Sequence, residues 1–475
     1  MLLTDAYFRP DRGVSQTEID RAYVLLERTG FALDVPYLNN QAITATDDEA
    51  ACLRKLGKHW RNVAVPGDEE INWASAPQLT KLLHDDLGIT PSPIWKKGEV
   101  RNGEIKMDGI ALEYLANTNK DYAVFLREII NLRRIRGCLK YLRKLPLYVD
   151  SKDGLVHPVY GTPSDDDERA GARSGRSTMK NPEGQQIPNS KEKDPYAIRK
   201  GFIAPEGQVL VVRDYQAMEA VLLHVLCLAL FDDNSLADAN TDTFHSINAR
   251  TVFGTHLGWK HPITGKGVAE YELDDFKTDP WLKDRRRDAK TVFYGLQFCK
   301  GIRGFAYTLL DAKGEPIGEK VAGAIVDGFH QARPGLKKWQ DYCWDCLWKS
   351  LKRSDFYPGI PGFSGRWRDV SHLVETSSRT GKADWMFRKA WRQLCNHAEQ
   401  EGGAIIKCNA LVALQKDGVV IQNDIHDELI ARCNIGDEEE VDYKMKTKME
   451  NTYPLPCGVK LGTGGGSART WYDAK

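Results

Sequence analysis

The sequence predicts an α+β fold in which a sheet domain is split by a large helical insertion. Two observations carry this expectation. Helical periodicity over residues 14–145 gives way to short strands and loops over 146–213, returns over 220–361, and yields to mixed character in the final third. Two apolar strand patterns, VLVV before Asp214 and VVIQNDI before His426, each lead to an aspartate, so one sheet edge can be assembled from distant parts of the chain. At 475 residues the chain is also too long for a single core, since domains usually hold roughly 100 to 200 residues.

The first residues, MLLTDAYFRPDRGVSQTE, show no basic region followed by an apolar stretch, and no later segment reaches the ~18 uninterrupted apolar residues of a membrane span. An intracellular, cytoplasmic chain with no membrane partner is therefore expected. Amphipathic periodicity predicts a helix over Glu18–Arg28, shorter helical segments over Gln78–Leu87 and Asp108–Ala116, and a basic helix over Arg127–Lys144. That last stretch carries seven basic residues and one acidic residue opposite an apolar side of Ile129, Ile130, Leu132, Ile135, Leu139 and Leu142. It reads either as a solvated amphipathic helix or as a basic face laid along a phosphate backbone. The polar stretch DDDERAGARSGRSTMKNPEGQQIPN is a loop that is disordered or ordered by a ligand.

VLVV then forms a buried strand that runs into the helical AMEAVLLHVLCLAL. The following helical region is interrupted by a Gly-, Pro- and Asp-rich stretch from Gly254 to Pro280 and carries a second basic cluster from Lys283 to Arg303. A long helix is expected from about Asp384 to Leu414, followed by two short strands around a polar turn at His426 and Asp427. Gly464–Gly466 is the only low-complexity piece, too short to be a linker. The ten cysteines are mostly scattered and read as reduced thiols. The one CxxC, Cys343 and Cys346, sits in an aromatic-rich helical context that favours a core-facing helix over a zinc or redox site. With 66 basic and 66 acidic residues, bulk charge gives no argument for nucleic acid; local charge must supply it.

An aspartate at a strand end is, taken alone, more often a helix cap or turn former than a catalyst. Two of them on one sheet edge suit a different task. Phosphoryl and nucleotidyl transfer needs hard oxygen ligands that hold two divalent ions about 3.5 to 4 Å apart, and Asp214 with Asp427 could supply that clamp. In RRDAKTVFYG, Arg286, Lys290 and Tyr294 recur every four residues and so share one helix face. Two cations there can neutralise a triphosphate beside a ring that can pack on a sugar or base. The alternative is a solvated basic helix with a core tyrosine.

At these residues the sequence resembles family A DNA polymerases, the DNA polymerase I group, and most closely its phage branch. VLVVRDYQAME resembles the family's first motif, RRDAKTVFYGLQF its second and HDEL, residues 426–429, its third. Further similarities follow in the family's order: GRSTMKNPEGQQIP, IRKGFIAPEG, DTFHSINARTVFG, GRWR and NHAEQEGGAIIK. The resemblance implies a right hand with an antiparallel palm sheet, helical fingers and a helical thumb. Its implied boundaries are an N-terminal segment over 1–33, thumb over 34–145, palm over 146–219 and 362–475, and fingers over 220–361.

It further implies a DNA-directed DNA polymerase using two Mg2+ ions, with Mn2+ able to substitute, and primer-template DNA and dNTPs as partners. Asp214, Asp427 and the backbone carbonyl of Tyr215 would hold the metals, with Glu428 as an accessory carboxylate. Glu219 would exclude a ribose 2'-hydroxyl. Arg286, Lys290, Tyr294 and His245 would line the triphosphate and sugar pocket, Lys290 acting in catalysis as well. Phe298 would lie near the templating base. Arg176, Gln185, Arg392, Asn396, Gln400 and His426 would hold the primer-template, several through the minor groove, whose acceptors barely vary with sequence.

Departures accompany the resemblance. Gln216, Ala217 and Met218 replace the usual Ser-Gln-Ile, Val221 replaces an Arg, and Phe298 with Cys299 replaces Tyr-Gly. Proofreading relatives carry an exonuclease domain before the thumb. Only about fifteen residues precede the similarity here, so no intrinsic proofreading is expected and a separate exonuclease or other replication proteins become candidate partners. The competing readings are a single-subunit RNA polymerase, a DNA-binding subunit without catalysis, and a metal-dependent nuclease. Glu219 with HDEL speaks against the first, the presence of Asp214, Lys290 and Asp427 against the second, and the stripe from Arg286 to Tyr294 against the third.

Overall fold

A computed structural model describes residues 13–61, 71–90, 107–162, 175–188, 193–311, 315–352, 359–374 and 385–475. Part of the polar loop expected before the first aspartate, residues 165–174 and 189, lies outside them. The first element among the described residues is a helix, Gln16–Thr29, whose Ser15 side chain accepts from the Glu18 amide while Glu18 reaches back to Ser15, a capping box that fixes its start. Ile19, Ala22, Tyr23 and Leu26 fall on one face at helical spacing and are buried.

Two longer helices, Val35–Arg61 and Ala123–Lys144, pack against each other and form an arm with the short helix Gly109–Thr118. The apolar side of Ala123–Lys144 is buried as its periodicity requires. Much of its basic side is engaged within the protein. Arg127 donates to Asn117 Oδ1 at 2.8 Å, Arg133 to the Trp73 carbonyl at 2.9 Å, Arg136 to Glu49 at 2.6 Å and Lys140 to Glu183 at 2.9 Å. These contacts favour the amphipathic-helix reading, because a guanidinium held on a carbonyl must give up that bond before it can meet a phosphate.

Eleven strands are described: β1 Phe31–Leu33, β2 Leu155–Val156, β3 Val159–Gly161, β4 Thr178–Lys180, β5 Phe202–Ile203, β6 Gln208–Tyr215, β7 Gly359–Pro361, β8 Trp367–Asp369, β9 Val420–Ile425, β10 Glu428–Asn434 and β11 Thr463–Ala468. The main sheet has the order β11-β6-β10-β9, antiparallel throughout. β6 thus lies between strands from the end of the chain, as the split-sheet expectation requires. Its Leu210, Val211 and Val212 are fully buried. Helix Glu438–Asn451 packs on β6, β10 and β11, and helices Gln16–Thr29 and Trp385–Lys416 pack on β9.

Between β6 and β9 the chain makes a helical insertion. Helix Met218–Phe231 is apolar on nearly every side and runs through the core against helices Pro334–Lys352 and Trp385–Lys416. The long helix spans Trp385–Lys416 where the sequence suggests about Asp384 to Leu414. In Pro334–Lys352 the buried residues Trp339, Cys343 and Leu347 share one face, so the CxxC helix is core-facing, and all described cysteines are free thiols. Gly464–Gly466, which the sequence offers no reason to read as a strand, is part of β11, paired with Asp214, Arg213 and Val212 of β6. Among the described residues no helix is long and apolar enough to cross a membrane.

Candidate active site

β6 and β10 run in opposite directions with Asp214 directly across from Glu428, and the Tyr215 amide donates to the Asp427 carbonyl at 3.1 Å. The two strand ends therefore bring Asp214, Asp427 and Glu428 to one edge of the sheet. His426 makes the turn before Asp427 with a left-handed φ of 55°. Each carboxylate has attracted a cation. Lys475 Nζ lies 3.1 Å from Asp214 Oδ2 and also pairs with Glu428, whose other oxygen accepts from Trp471 Nε1 at 2.5 Å. Burial raises the Glu428 pKa although Lys475 opposes it. Arg176 bridges Asp427 at 3.3 Å and Glu219 at 3.0 Å, and Gln400 donates to the same Glu219 oxygen at 2.6 Å.

Carboxylate oxygens that draw in an ammonium and a guanidinium are hard donors that suit divalent ions. Among the described residues no group of three or more His, Cys, Asp or Glu converges as a complete metal cage. Asp214 and Asp427 place such donors on neighbouring strand ends. The Tyr215 side chain takes no part: its hydroxyl donates to the Met449 carbonyl at 2.9 Å within the core.

Next to Asp214 opens a cleft of about 750 Å3 lined by Tyr215, Gln216, Asp242, His245, Arg286, Lys290, Tyr294, the glycines of β11 and Lys475. Helix Pro280–Gln297 supplies the stripe. Asp279 caps it by accepting from the Leu282 amide at 2.9 Å, and Pro280 occupies its first turn. Its buried face, with Leu282, Ala289, Val292, Phe293 and Leu296, presses on the core and leaves Arg286, Lys290 and Tyr294 toward the cleft. Arg286 donates to the Asp242 carbonyl at 3.3 Å. His245 is 9% exposed, packs 5.6 Å from the Tyr294 ring, and leaves its Nδ1 without a partner among the described residues. Burial, reinforced by Lys290 and Arg286, pulls its pKa from 6.5 down to about 3, so the imidazole is neutral in the cleft.

The remaining expected residues fall elsewhere. Phe298 lines a separate cavity of about 330 Å3 with Arg368, Gln393, Asn396, His397 and Gln400, so it groups with the expected DNA-holding residues and not with the cleft. Arg392 is exposed one turn before Asn396 on the same helix. Gln185 donates weakly to Ser177 Oγ and to the Asp424 carbonyl, both at 3.4 Å. His426 reaches solvent at the turn, yet the atoms packed around its ring partly desolvate it and, with Arg176 nearby, lower its pKa.

Sequence reasoning missed several residues that hold this site. Lys475 gave no signal, since a lysine at this position acquires meaning only when the chain returns to the sheet. Gln297 is fully buried and ties helices together by donating to the Glu219 carbonyl at 2.9 Å and to Glu399 at 2.5 Å. Burial raises the Glu399 pKa well above the usual carboxylate range. The run Gln422–Asn423–Asp424 did give a signal: three polar residues in a row inside an otherwise apolar strand.

Comparison with known proteins agrees with this geometry. The family model "DNA polymerase family A" matches residues 45–473. A thermostable DNA polymerase I from Thermus filiformis is 27% identical over 468 residues, covering 96% of this chain and 47% of the relative. DNA polymerase I of Deinococcus radiodurans is 27% identical over 416 residues, covering 86% and 37%; this chain thus spans about half, or less, of these relatives. Among solved structures, the POL domain of Pol1 from M. smegmatis in complex with DNA primer-template and dNTP superposes with a TM-score of 0.76, at 22% identity, covering 97% of this chain and 70% of that one. That likeness gives the fold, a right hand of palm sheet, helical fingers and helical thumb, and the match over residues 45–473 gives the family: the chain belongs to DNA polymerase family A.

Proposed function

We propose that this chain is a template-directed DNA polymerase that extends a primer with deoxynucleotides. The observation that carries the reading is the cleft that joins Asp214 to the stripe of Arg286, Lys290 and Tyr294, with Asp427 beside Asp214 on the same sheet edge. Carboxylates placed beside a cationic helix face are what nucleotidyl transfer from a triphosphate requires.

In this reading the sheet and its flanking strands are the palm, built from residues 146–219 and 362–475, while 220–361 form the fingers and 34–145 the thumb. Family A polymerases use divalent metal ions, and we assign two Mg2+ here, replaceable by Mn2+, to Asp214, Asp427 and the Tyr215 carbonyl. Such ions, when bound, activate the attacking hydroxyl and support the leaving pyrophosphate. The chain's own part is to bind and orient. Arg286 and Lys290 neutralise the triphosphate, with Lys290 close to the phosphate that departs. Tyr294 and neutral His245 shape the sugar side of the cleft. Glu219, fixed by Arg176 and Gln400, fills space a 2'-hydroxyl would need. Phe298, Asn396, Gln400 and Arg392, with Arg176, Gln185 and His426, face the primer-template. Glu428, tied to Lys475 and Trp471, supports the pair from behind. The phage-type affinity is a reading of the sequence motifs, and the relatives reported above are bacterial.

Primer extension tests the reading directly. With Mg2+ and an annealed primer-template the chain should incorporate dNTPs dictated by the template, reject rNTPs and stop in EDTA. Extension with rNTPs at comparable efficiency would instead favour an RNA polymerase, and DNA binding without any extension would favour a silent subunit.

A further inference from the structure

Beneath the turn that carries Asp427 lies a buried charge cluster with no role in the reading so far. Asp424, in β9, is fully buried, and its Oδ2 accepts from the Tyr23 hydroxyl at 2.5 Å and the Ser177 hydroxyl at 2.8 Å. Its Oδ1 meets the ammonium of Lys407, itself only 3% exposed, and has no other partner among the described residues. The N-terminal helix, the segment before β4 and the long helix therefore converge on one carboxylate.

A buried ion pair is a poor source of stability, because desolvating both charges offsets most of their attraction and an apolar pair of similar volume often does as well. This pair does one thing an apolar pair cannot. The Lys407 ammonium also donates to the His426 carbonyl. His426 is held at a left-handed φ that side chains disfavour, and its carbonyl belongs to the peptide bond leading into Asp427. A donor fixed on that oxygen restrains the peptide plane at the point where the turn could relax.

We propose that Lys407, neutralised and aimed by Asp424, is a positioning residue that fixes the His426–Asp427 peptide and so holds the Asp427 carboxylate in place for a metal ion. The proposal rests on Asp427 being a metal ligand. Single substitutions would strand a buried charge and destabilise the chain for reasons unrelated to the turn. The test therefore uses two neutral doubles, Lys407→Met/Asp424→Asn, which removes the donor, and Lys407→Gln/Asp424→Asn, which can keep one on the His426 carbonyl. Thermal unfolding and primer-template binding check that both are folded. Pre-steady-state incorporation then gives kcat and KM for dNTP, and Mn2+ titration by electron paramagnetic resonance, without dNTP, reads the metal site itself.

The methionine double should bind primer-template within about threefold of the native chain, lose about tenfold or more in kcat at similar KM, and bind Mn2+ several-fold more weakly. The glutamine double should recover much of both losses. Equal kcat in the two doubles, or native kcat and Mn2+ affinity in the methionine double, overturns the proposal. If only the glutamine double folds, a kcat within a few-fold of native supports it and a tenfold loss overturns it. Asp427→Ala serves as the control: if it still extends primers, the metal assignment fails and this proposal with it, whereas an inactive control beside a fully active methionine double refutes the positioning role alone.

Discussion

His245 shows how burial can set the charge of a cleft. Its pKa falls from 6.5 to about 3, chiefly through desolvation and then through the nearby cations Lys290 and Arg286. Between those two values the folded chain binds fewer protons at this site than the unfolded chain, so acid favours unfolding. Stability is unaffected above pH 6.5 and is lost progressively as pH falls toward 3. His245→Gln should remove that loss, a relative gain of about 2 kcal/mol at pH 5 compared with pH 7, read from urea unfolding at the two pH values. An acid limb identical to the native one would mean that the imidazole is solvated. In the proposed reading Tyr294, packed on the same imidazole, bears on sugar choice. Its hydroxyl can replace the hydrogen bond that a dideoxynucleotide lacks, whereas a phenyl ring leaves a polar partner unmet, at about 1 to 3 kcal/mol. The native chain should therefore accept ddNTPs nearly as well as dNTPs, and Tyr294→Phe should reject them by roughly ten- to hundredfold. Strong ddTTP rejection by the native chain, measured against dTTP on one template, would remove Tyr294 from the sugar pocket. Both residues were legible in the sequence for different reasons: Tyr294 from its four-residue spacing behind Arg286 and Lys290, His245 only through family resemblance, since an isolated histidine has no pattern.

At the scale of elements, β11 is the clearest instance of structure that local sequence conceals. Three glycines in a row read as low complexity because strand propensity expects bulk, yet glycine inside a strand can mark a close backbone approach. At Gly465 an added Cβ would lie 1.8 Å from the Val212 carbonyl oxygen, a backbone atom that cannot swing aside. Gly465→Ala should thus push β11 away from β6 beside Asp214, costing about 1 to 3 kcal/mol of stability and lowering extension more than DNA binding. Native unfolding and native activity in this variant would mean that β11 does not pair with β6 as described. Helices, by contrast, were legible within a few residues, because periodicity and caps are local properties: Gln16–Thr29 and Trp385–Lys416 both lie where apolar spacing puts them. The basic helix Ala123–Lys144 was legible as a helix but not in its purpose. Whether an arginine meets a phosphate or the Trp73 carbonyl depends on a partner brought in by the fold.

The whole molecule is organised around carboxylates that its own fold forces together. Asp214 arrives on β6 before the helical insertion and Asp427 after it, and the sheet closes them onto one edge with Glu428 and Glu219 nearby. Sequence could place each aspartate at a strand end, but their meeting depends on long-range register, which only the pairing of Asp214 with Glu428 supplies. Gathering like charges has a stability cost, offset only partly by Lys475 and Arg176. Neutralising one member should therefore separate stability from function. Asp214→Asn is expected to unfold at a temperature no lower than the native chain in EDTA, because it relieves repulsion while leaving Lys475 paired with Glu428. The same variant should lose extension by on the order of a thousandfold or more, since a missing metal ligand withdraws several kcal/mol of transition-state stabilisation. Asp427→Ala should be equally inactive, and both should bind primer-template within a few-fold. A third reading separates metal loss from misfolding: Mg2+ with bound primer-template and dNTP should raise the unfolding temperature of the native chain by mass action and do so much less for either variant. Substantial turnover by either variant under Mg2+, or an undiminished Mg2+ shift in both, would show that the ions are held elsewhere and that the paired aspartates serve only to shape the turn.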